Sequence, residues 1–189
     1  METIGKRTVW EGKFIRALIL TYKDHSGNLR NWEAVERVNC NGIVAIVPVT
    51  TKGELLLIRQ FRPVVNNFVI EFPAGLNDKG ESLVDAAKRE LIEETGYTAD
   101  EFIFLSDGPL SSGLSAEILS VFMAKDAVPA TSEMKQQYPA EETENIEIIK
   151  THLSELYDTL EAFRKRGDYI DLKIYGLVEM AKDKLKVNG

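Results

Sequence analysis

The chain has 189 residues, a net charge of −7 and a single cysteine, Cys40. That length holds one compact core with an appendage or two small domains, the acidic balance argues against a nucleic-acid or anionic-membrane partner, which needs a basic face, and one cysteine builds neither a disulfide framework nor a cysteine zinc site. With 44% hydrophobic and 28% charged residues the composition is that of a soluble globular protein; no apolar run reaches the length of a membrane span, and the polar start METIGKRTVWEGK reads as no secretory signal, so the expected compartment is cytoplasmic.

Residues 13–24 (KFIRALILTYKD) and 29–39 (LRNWEAVERVN) are apolar-rich extended runs joined by the turn-prone His25, Ser26, Gly27 and Asn28, which predicts a hairpin. Two strands alone are marginal in water. Residues 1–39 are therefore expected to be a small N-terminal β unit packed on something else, a partner subunit being one candidate. Residues 40–189 form the second expected domain. There 42–49 (GIVAIVPV), 54–61 (ELLLIRQF) and 68–72 (FVIEF) read as strands, the first as a buried one. Residues 102–105 and 117–124 (EILSVFMA) read as two more, 125–142 as loop, and NIEIIK (145–150) as an alternating strand. Residues 153–166 and 171–186 have helical spacing broken at Gly167. Strands flanked by helices imply a layered α/β domain.

Between the third and fourth of these strands lies GLNDKGESLVDAAKRELIEETGY, residues 75–97. Ser82 is a good N-cap with Asp85 three residues on, residues 83–94 contain no Gly or Pro, and Gly96 suits a left-handed stop. A loop therefore leads into a helix and then a turn. Glu90 and Glu94 lie one turn apart on one face, with Glu93 beside them. At about 100° per residue, Glu94 falls between Leu83 and Ala87, inside the apolar stripe completed by Val84 and Leu91. A carboxylate there is costly to bury without a compensating cation, and crowded carboxylates repel. A hard divalent cation with oxygen ligands resolves both. An ordinary acidic run is a solvated face, but spacing decides otherwise: seven fixed identities at a usage of roughly 7% each match by chance about once in 10⁸ starting positions.

The seven are Gly75, Glu81, Arg89, Glu90, Glu93, Glu94 and Gly96, in the pattern G-x5-E-x7-R-E-U-x-E-E-x-G-U with Leu91 and Tyr97 in the apolar slots. This is the signature of the Nudix hydrolases. Together with NWEAVERV, GIVAIVPV, IRQFRP, IEFPAGLND and a downstream glutamate loop, the chain resembles the ADP-ribose pyrophosphatase branch of that family over most of its length. The resemblance implies a Nudix α/β/α sandwich with a mixed sheet, preceded by a small N-terminal β domain exchanged within a homodimer. It implies Mg²⁺-dependent (or Mn²⁺-dependent) attack of water on a nucleoside diphosphate sugar, ADP-ribose giving AMP and ribose 5-phosphate. Neither nucleic acid nor membrane is an expected partner.

Position by position, the resemblance implies metal at the Ala74 carbonyl and at the carboxylates of Glu90 and Glu94, with Glu81 and Glu93 in the same acidic cluster and Glu93 among the catalytic candidates. It implies phosphate at Arg62 and Arg37, and base stacking at Trp32 with Phe14 as a second aromatic. Each has a plainer reading: Trp32 anchors the hairpin, Phe14 belongs to the core with Leu18 and Leu20, and Arg62 pairs with Glu71. In the loop PAEETENIEII, Glu142 is the candidate base and Glu144 the candidate metal ligand or base. Cys40, His25 and His152 are given no chemistry. In SSGLSAE (111–117), Ser112 stands where many ADP-ribose enzymes carry Pro, which leaves the sugar open. GDP-mannose hydrolases share this architecture, so a GDP-mannose-type or broader hydrolase is the alternative. A non-catalytic ADP-ribose sensor is disfavoured because the signature is intact.

Overall fold

The computed structural model describes residues 1–77, 80–140 and 145–186. Three strands open the chain as an antiparallel meander: β1 (Glu2–Glu11), β2 (Ile15–Lys23) and β3 (Leu29–Arg37). The expected hairpin is β2–β3. The Asp24 carboxylate closes its turn by accepting the backbone N–H groups of Ser26 and Asn28, each at 2.9 Å. The N-terminal unit is nevertheless larger than a hairpin, because β1 pairs with β2 from Glu2–Lys23 to Glu11–Arg16. Nearly every residue of β1 is exposed, so it carries no apolar alternation to read. It is a strand by backbone pairing alone.

The remaining strands are β4 (Ile43–Thr50), β5 (Glu54–Arg62), β6 (Asn67–Glu71), β7 (Ala74–Leu76), β8 (Tyr97–Thr98), β9 (Glu101–Pro109), β10 (Ile118–Pro129), β11 (Ile146–His152) and β12 (Tyr169–Ile170). Among the described residues they make one mixed sheet in the order β12-β6-β5-β4-β10-β8, with β11 on β5, β7 on β4 and β9 on β10. β4 runs parallel to β10 and β6 parallel to β12. The helices are α1 (Leu83–Thr95), α2 (Ser132–Gln137), α3 (Leu156–Lys165) and α4 (Lys173–Lys186). No helix among the described residues is long and apolar enough to cross a membrane.

β4 explains why GIVAIVPV is apolar without a break. Side chains alternate across a strand, and here both faces are covered. Ile43, Ala45, Val47 and Val49 meet Leu156, Leu160, Ile174, Val178 and Ala181 of α3 and α4. Val44 and Ile46 meet Ala86, Ala87 and Leu91 of α1. The sheet is thus the middle layer of an α/β/α sandwich. β10 repeats the arrangement, with Val121 and Met123 in the first core and Phe122 and Ala124 in the second.

Other stretches also depart from the sequence reading, the two-residue strands β8 and β12 among them. Residues 125–142, read as loop, contain the end of β10 and then α2, capped by Thr131, whose Oγ1 accepts the Met134 N–H at 3.3 Å. β9 covers Glu101–Pro109 rather than 102–105, because eight of its residues are registered against β10. β7 has no sequence signal of its own: three residues are too short for periodicity, and pairing with β4 defines it.

Candidate active site

α1 ends where its sequence says. The Ser82 hydroxyl oxygen accepts the Asp85 N–H at 3.1 Å, and Gly96, at φ 66, stops the helix with its N–H on the Ile92 carbonyl. The apolar stripe of Ala87 and Leu91 lies against β4; removing a side chain such as Leu91, fully buried, would cost about 2–5 kcal/mol. That packing sets the rotation of α1, and the rotation delivers the acids to β7.

The centre of the acidic cluster is a cation of the chain itself. Arg89 is only 5% exposed. Its Nε and Nη2 donate to Glu81 Oε1 at 2.9 and 2.8 Å, its Nη1 to Glu90 Oε1 and Glu93 Oε2 at 2.7 Å each, and its Nη2 also to the Leu76 carbonyl at 2.9 Å. Burial opposes the charge, yet the hydrogen bonds that Arg89 donates to Glu81, Glu90 and Glu93, with the nearby charge of Glu90, hold its pKa above the ordinary value. Three carboxylates and a strand carbonyl are thereby fixed around one planar fork, a geometry that lysine could not supply.

Two further acids positions follow from β7. A Cβ at Gly75 would fall 1.9 Å from the Glu90 carboxyl carbon and 2.0 and 2.3 Å from its oxygens. The Glu90 carboxylate therefore occupies the space that a side chain would take, and glycine is required there for close approach. Glu94, 7% exposed, accepts the Ala74 N–H on Oε2 at 2.9 Å. The compensation expected from a cation is thus supplied partly by a backbone dipole.

This donor set suits a hard divalent cation. Glu90, Glu94 and the Ala74 carbonyl offer oxygen only, and they are seated against one three-residue strand. These are the groups that would hold the ion. Among the described residues no group of three or more acidic, histidine or cysteine side chains is placed to hold a metal ion. Glu142 and Glu144, the candidate base and ligand, lie outside the described residues.

The substrate-binding candidates fall into two places. Trp32, Phe14 and Arg37 belong to the N-terminal sheet and its edge. Trp32 is 49% exposed, and its Nε1–H donates to the Gly113 carbonyl at 3.0 Å. Phe14 is 66% exposed, with the Lys13 ammonium 4.9 Å from its ring centre, so the core reading of Phe14 does not hold. The Arg37 Nε donates to Glu117 Oε1 at 2.7 Å, and Ser115 Oγ lies 3.3 Å from the other oxygen of Glu117. With Val35 N–H on the Leu114 carbonyl at 2.8 Å, β3 clamps the loop 111–117 at several points. Arg37 and Glu117 share a cleft of about 310 Å³ with Cys40 and Ile43. Glu117 was assigned no role from sequence; its distance from Arg37 along the chain hid the pair.

Arg62 is at the end of β5. Its Nε donates to Glu71 Oε1 at 2.7 Å, the pairing offered as the plainer reading. Burial raises the Glu71 pKa above the usual carboxylate value, although Arg62 pulls it back. A second cleft of about 400 Å³ is lined by Glu93 and Glu94 of α1, Lys135, Tyr138 and Ile146 and Ile148 of β11.

Comparison with known proteins finds relatives over most of the chain. Residues 41–170 match the NUDIX domain. An uncharacterised Nudix hydrolase of Schizosaccharomyces pombe is 34% identical over 165 residues, covering 82% of this chain and 79% of the relative. An ADP-ribose pyrophosphatase of Bacillus subtilis is 30% identical over 161 residues, covering 85% and 83%. A crystal structure of an ADP compounds hydrolase superposes with a TM-score of 0.77 over 100% of this chain and 95% of that one, at 23% identity, which establishes the shared fold.

Proposed function

The chain belongs to the Nudix hydrolase family, whose members generally depend on a divalent metal, and from that premise we propose that it splits the diphosphate of ADP-ribose into AMP and ribose 5-phosphate. The observation that carries the reading is the seating of Glu90 over Gly75 and of Glu94 on the Ala74 N–H, with Arg89 gathering the neighbouring acids. The choice of substrate is supported by the relatives named for ADP-ribose, ADP sugars and ADP compounds.

In this reading Glu90, Glu94 and the Ala74 carbonyl hold Mg²⁺, or Mn²⁺, with Glu144 as a further ligand. When bound, the ion neutralises charge on the diphosphate and acidifies water. Arg62 and Arg37 bind phosphate oxygens, exchanging carboxylate partners for them. Trp32 and Phe14 offer exposed rings to the base. Glu93, held by Arg89, is the catalytic candidate of the helix beside Glu94, and Glu142 accepts the proton of the attacking water. The N-terminal sheet is the dimerisation unit: it exposes Ile4, Val9, Trp10 and Phe14, and its edge strand β1 pairs on one side only among the described residues. The cytoplasm is the proposed compartment.

A panel of ADP-ribose, other ADP-sugars and GDP-mannose, assayed with Mg²⁺ and with Mn²⁺, tests the proposal. Release of AMP and ribose 5-phosphate with the highest kcat/KM for ADP-ribose supports it. A preference for GDP-mannose assigns the chain to the broader alternative, and absence of turnover with every member of the panel overturns hydrolysis.

A further inference from the structure

We propose that Gln60 is a catalytic residue of this site, its carboxamide oxygen accepting a hydrogen bond from the water that attacks phosphorus. The inference rests on the hydrolase reading above.

Gln60 is 6% exposed, and its Oε1 has no hydrogen-bond partner among the described residues. Buried side-chain oxygens are nearly always paired, and one that is not asks for a ligand or a water. The position of this one is informative. Within β5, Ile58, Gln60 and Arg62 share a face by strand alternation. Directly opposed residues in an antiparallel sheet also share a face, and Gln60 opposes Ile146 of β11 and Val69 of β6, while Ile58 opposes Ile148 and Glu71. Ile146 and Ile148 line the cleft together with Glu93 and Glu94 of α1. The face that carries Gln60 thus runs from the Arg62–Glu71 pair to the wall of the cleft that holds the signature acids.

Chemistry selects the occupant. A carboxamide oxygen only accepts, and the oxygens of a diphosphate also only accept, so Oε1 is not a phosphate contact. It needs a donor. Sugar hydroxyls and water both donate, but a side chain this deeply buried is reached by something the size of water. In the step, the water oxygen bonds to phosphorus as the P–O bond to the leaving phosphate breaks and that phosphate takes the electron pair. One water hydrogen leaves as a proton to the general base. The other is held by Gln60 Oε1, which stays neutral and fixes the direction of the oxygen lone pair.

Gln60→Met keeps the length of the side chain and removes the amide. The expected result is a fall in kcat of roughly 10- to 100-fold, the scale of a misplaced reacting atom, with KM for ADP-ribose within about threefold. The melting temperature should stay level or rise, because an unpaired buried polar group has been replaced by an apolar one. Retained kcat in a folded variant overturns the proposal, and so does a raised KM with normal kcat, which would place Gln60 on the substrate. Should Gln60→Met not fold, Gln60→Asn reads the same split, since it withdraws the amide by one methylene; unchanged kcat there overturns the proposal equally. Wild-type protein that hydrolyses no substrate of the panel refutes the functional reading instead, so the two failures are distinct. A crystal structure supplies a readout apart from activity: ordered water within hydrogen-bond distance of Gln60 Oε1 supports the assignment, and a protein group in its place removes it.

Discussion

Substituting Gly75 by alanine isolates the contact on which the metal reading depends. The added Cβ would stand 1.9 Å from the Glu90 carboxyl carbon, whereas ordinary contacts begin at 3.4 Å, so the carboxylate must retreat by about 1.5 Å (3.4 − 1.9). The backbone is not the source of strain, since Gly75 lies in β7 and not among the glycines of positive φ. The retreat breaks the 2.7 Å bond from Arg89 Nη1 to Glu90. Losing one partner of a partly buried charged hydrogen bond costs about 1–3 kcal/mol, and about 1 kcal/mol lowers Tm by roughly 2–4 °C in a chain of this size. If Glu90 holds the metal as proposed, misplacing it by an ångström can cost about 10²-fold in rate. Gly75→Ala should therefore lose about two orders of magnitude in kcat/KM for ADP-ribose and need more Mg²⁺ for half-saturation. Thermal melts of Gly75→Ala, Glu90→Ala and the double variant complete the assay. If the clash is with Glu90, the second substitution costs little once the first is made, and the cycle shows a coupling of about 1 kcal/mol or more. Additive melts together with an unchanged Mg²⁺ requirement would refute the contact and the metal role built on it.

Three other outcomes follow from particular groups. Arg89→Ala removes a buried cation and leaves the partly buried Glu81, Glu90 and Glu93 around its place, so stability should fall by about 3–5 kcal/mol; millimolar Mg²⁺ should restore part of the Tm, and calorimetry with and without the ion checks it. Glu71 has its carboxyl pKa raised by burial. A raised carboxyl pKa means that protonation favours the folded state, so the stability contribution is present below the unfolded pKa and is lost as pH rises through the folded one. Glu71→Gln should thus melt above wild type at pH 8, the gap closing on acidification; a gap that widens towards low pH would reverse the sign. Light scattering at micromolar concentration should show a dimer, and deletion of residues 1–39 should yield no dimer; a stable, active full-length monomer would end the dimerisation proposal.

Much of the site was legible because it is local. Ser82 and Gly96 bracket α1 through contacts within four residues, and the 3.6-residue repeat alone puts Glu90, Glu94 and the stripe of Ala87 and Leu91 where they are found. The unbroken apolar run of β4 likewise stated that both of its faces are buried, since an exposed face would demand polar alternation. What could not be read there are relations across the chain. That the Glu90 carboxylate occupies the place of a Gly75 side chain depends on how a loop folds β7 back onto β4 and under the helix. Arg37 finds Glu117 eighty residues away because β3 meets the loop after β9, and neither residue signals the other in sequence. The acidic cluster was legible as acids, but not as acids gathered on Arg89, because helical spacing fixes directions and leaves the choice of partner to the packing of neighbouring elements. The edge strand β1 is the extreme case: almost wholly exposed, it has no pattern of its own, and backbone hydrogen bonds to β2, which are blind to side-chain identity, decide that it is a strand at all.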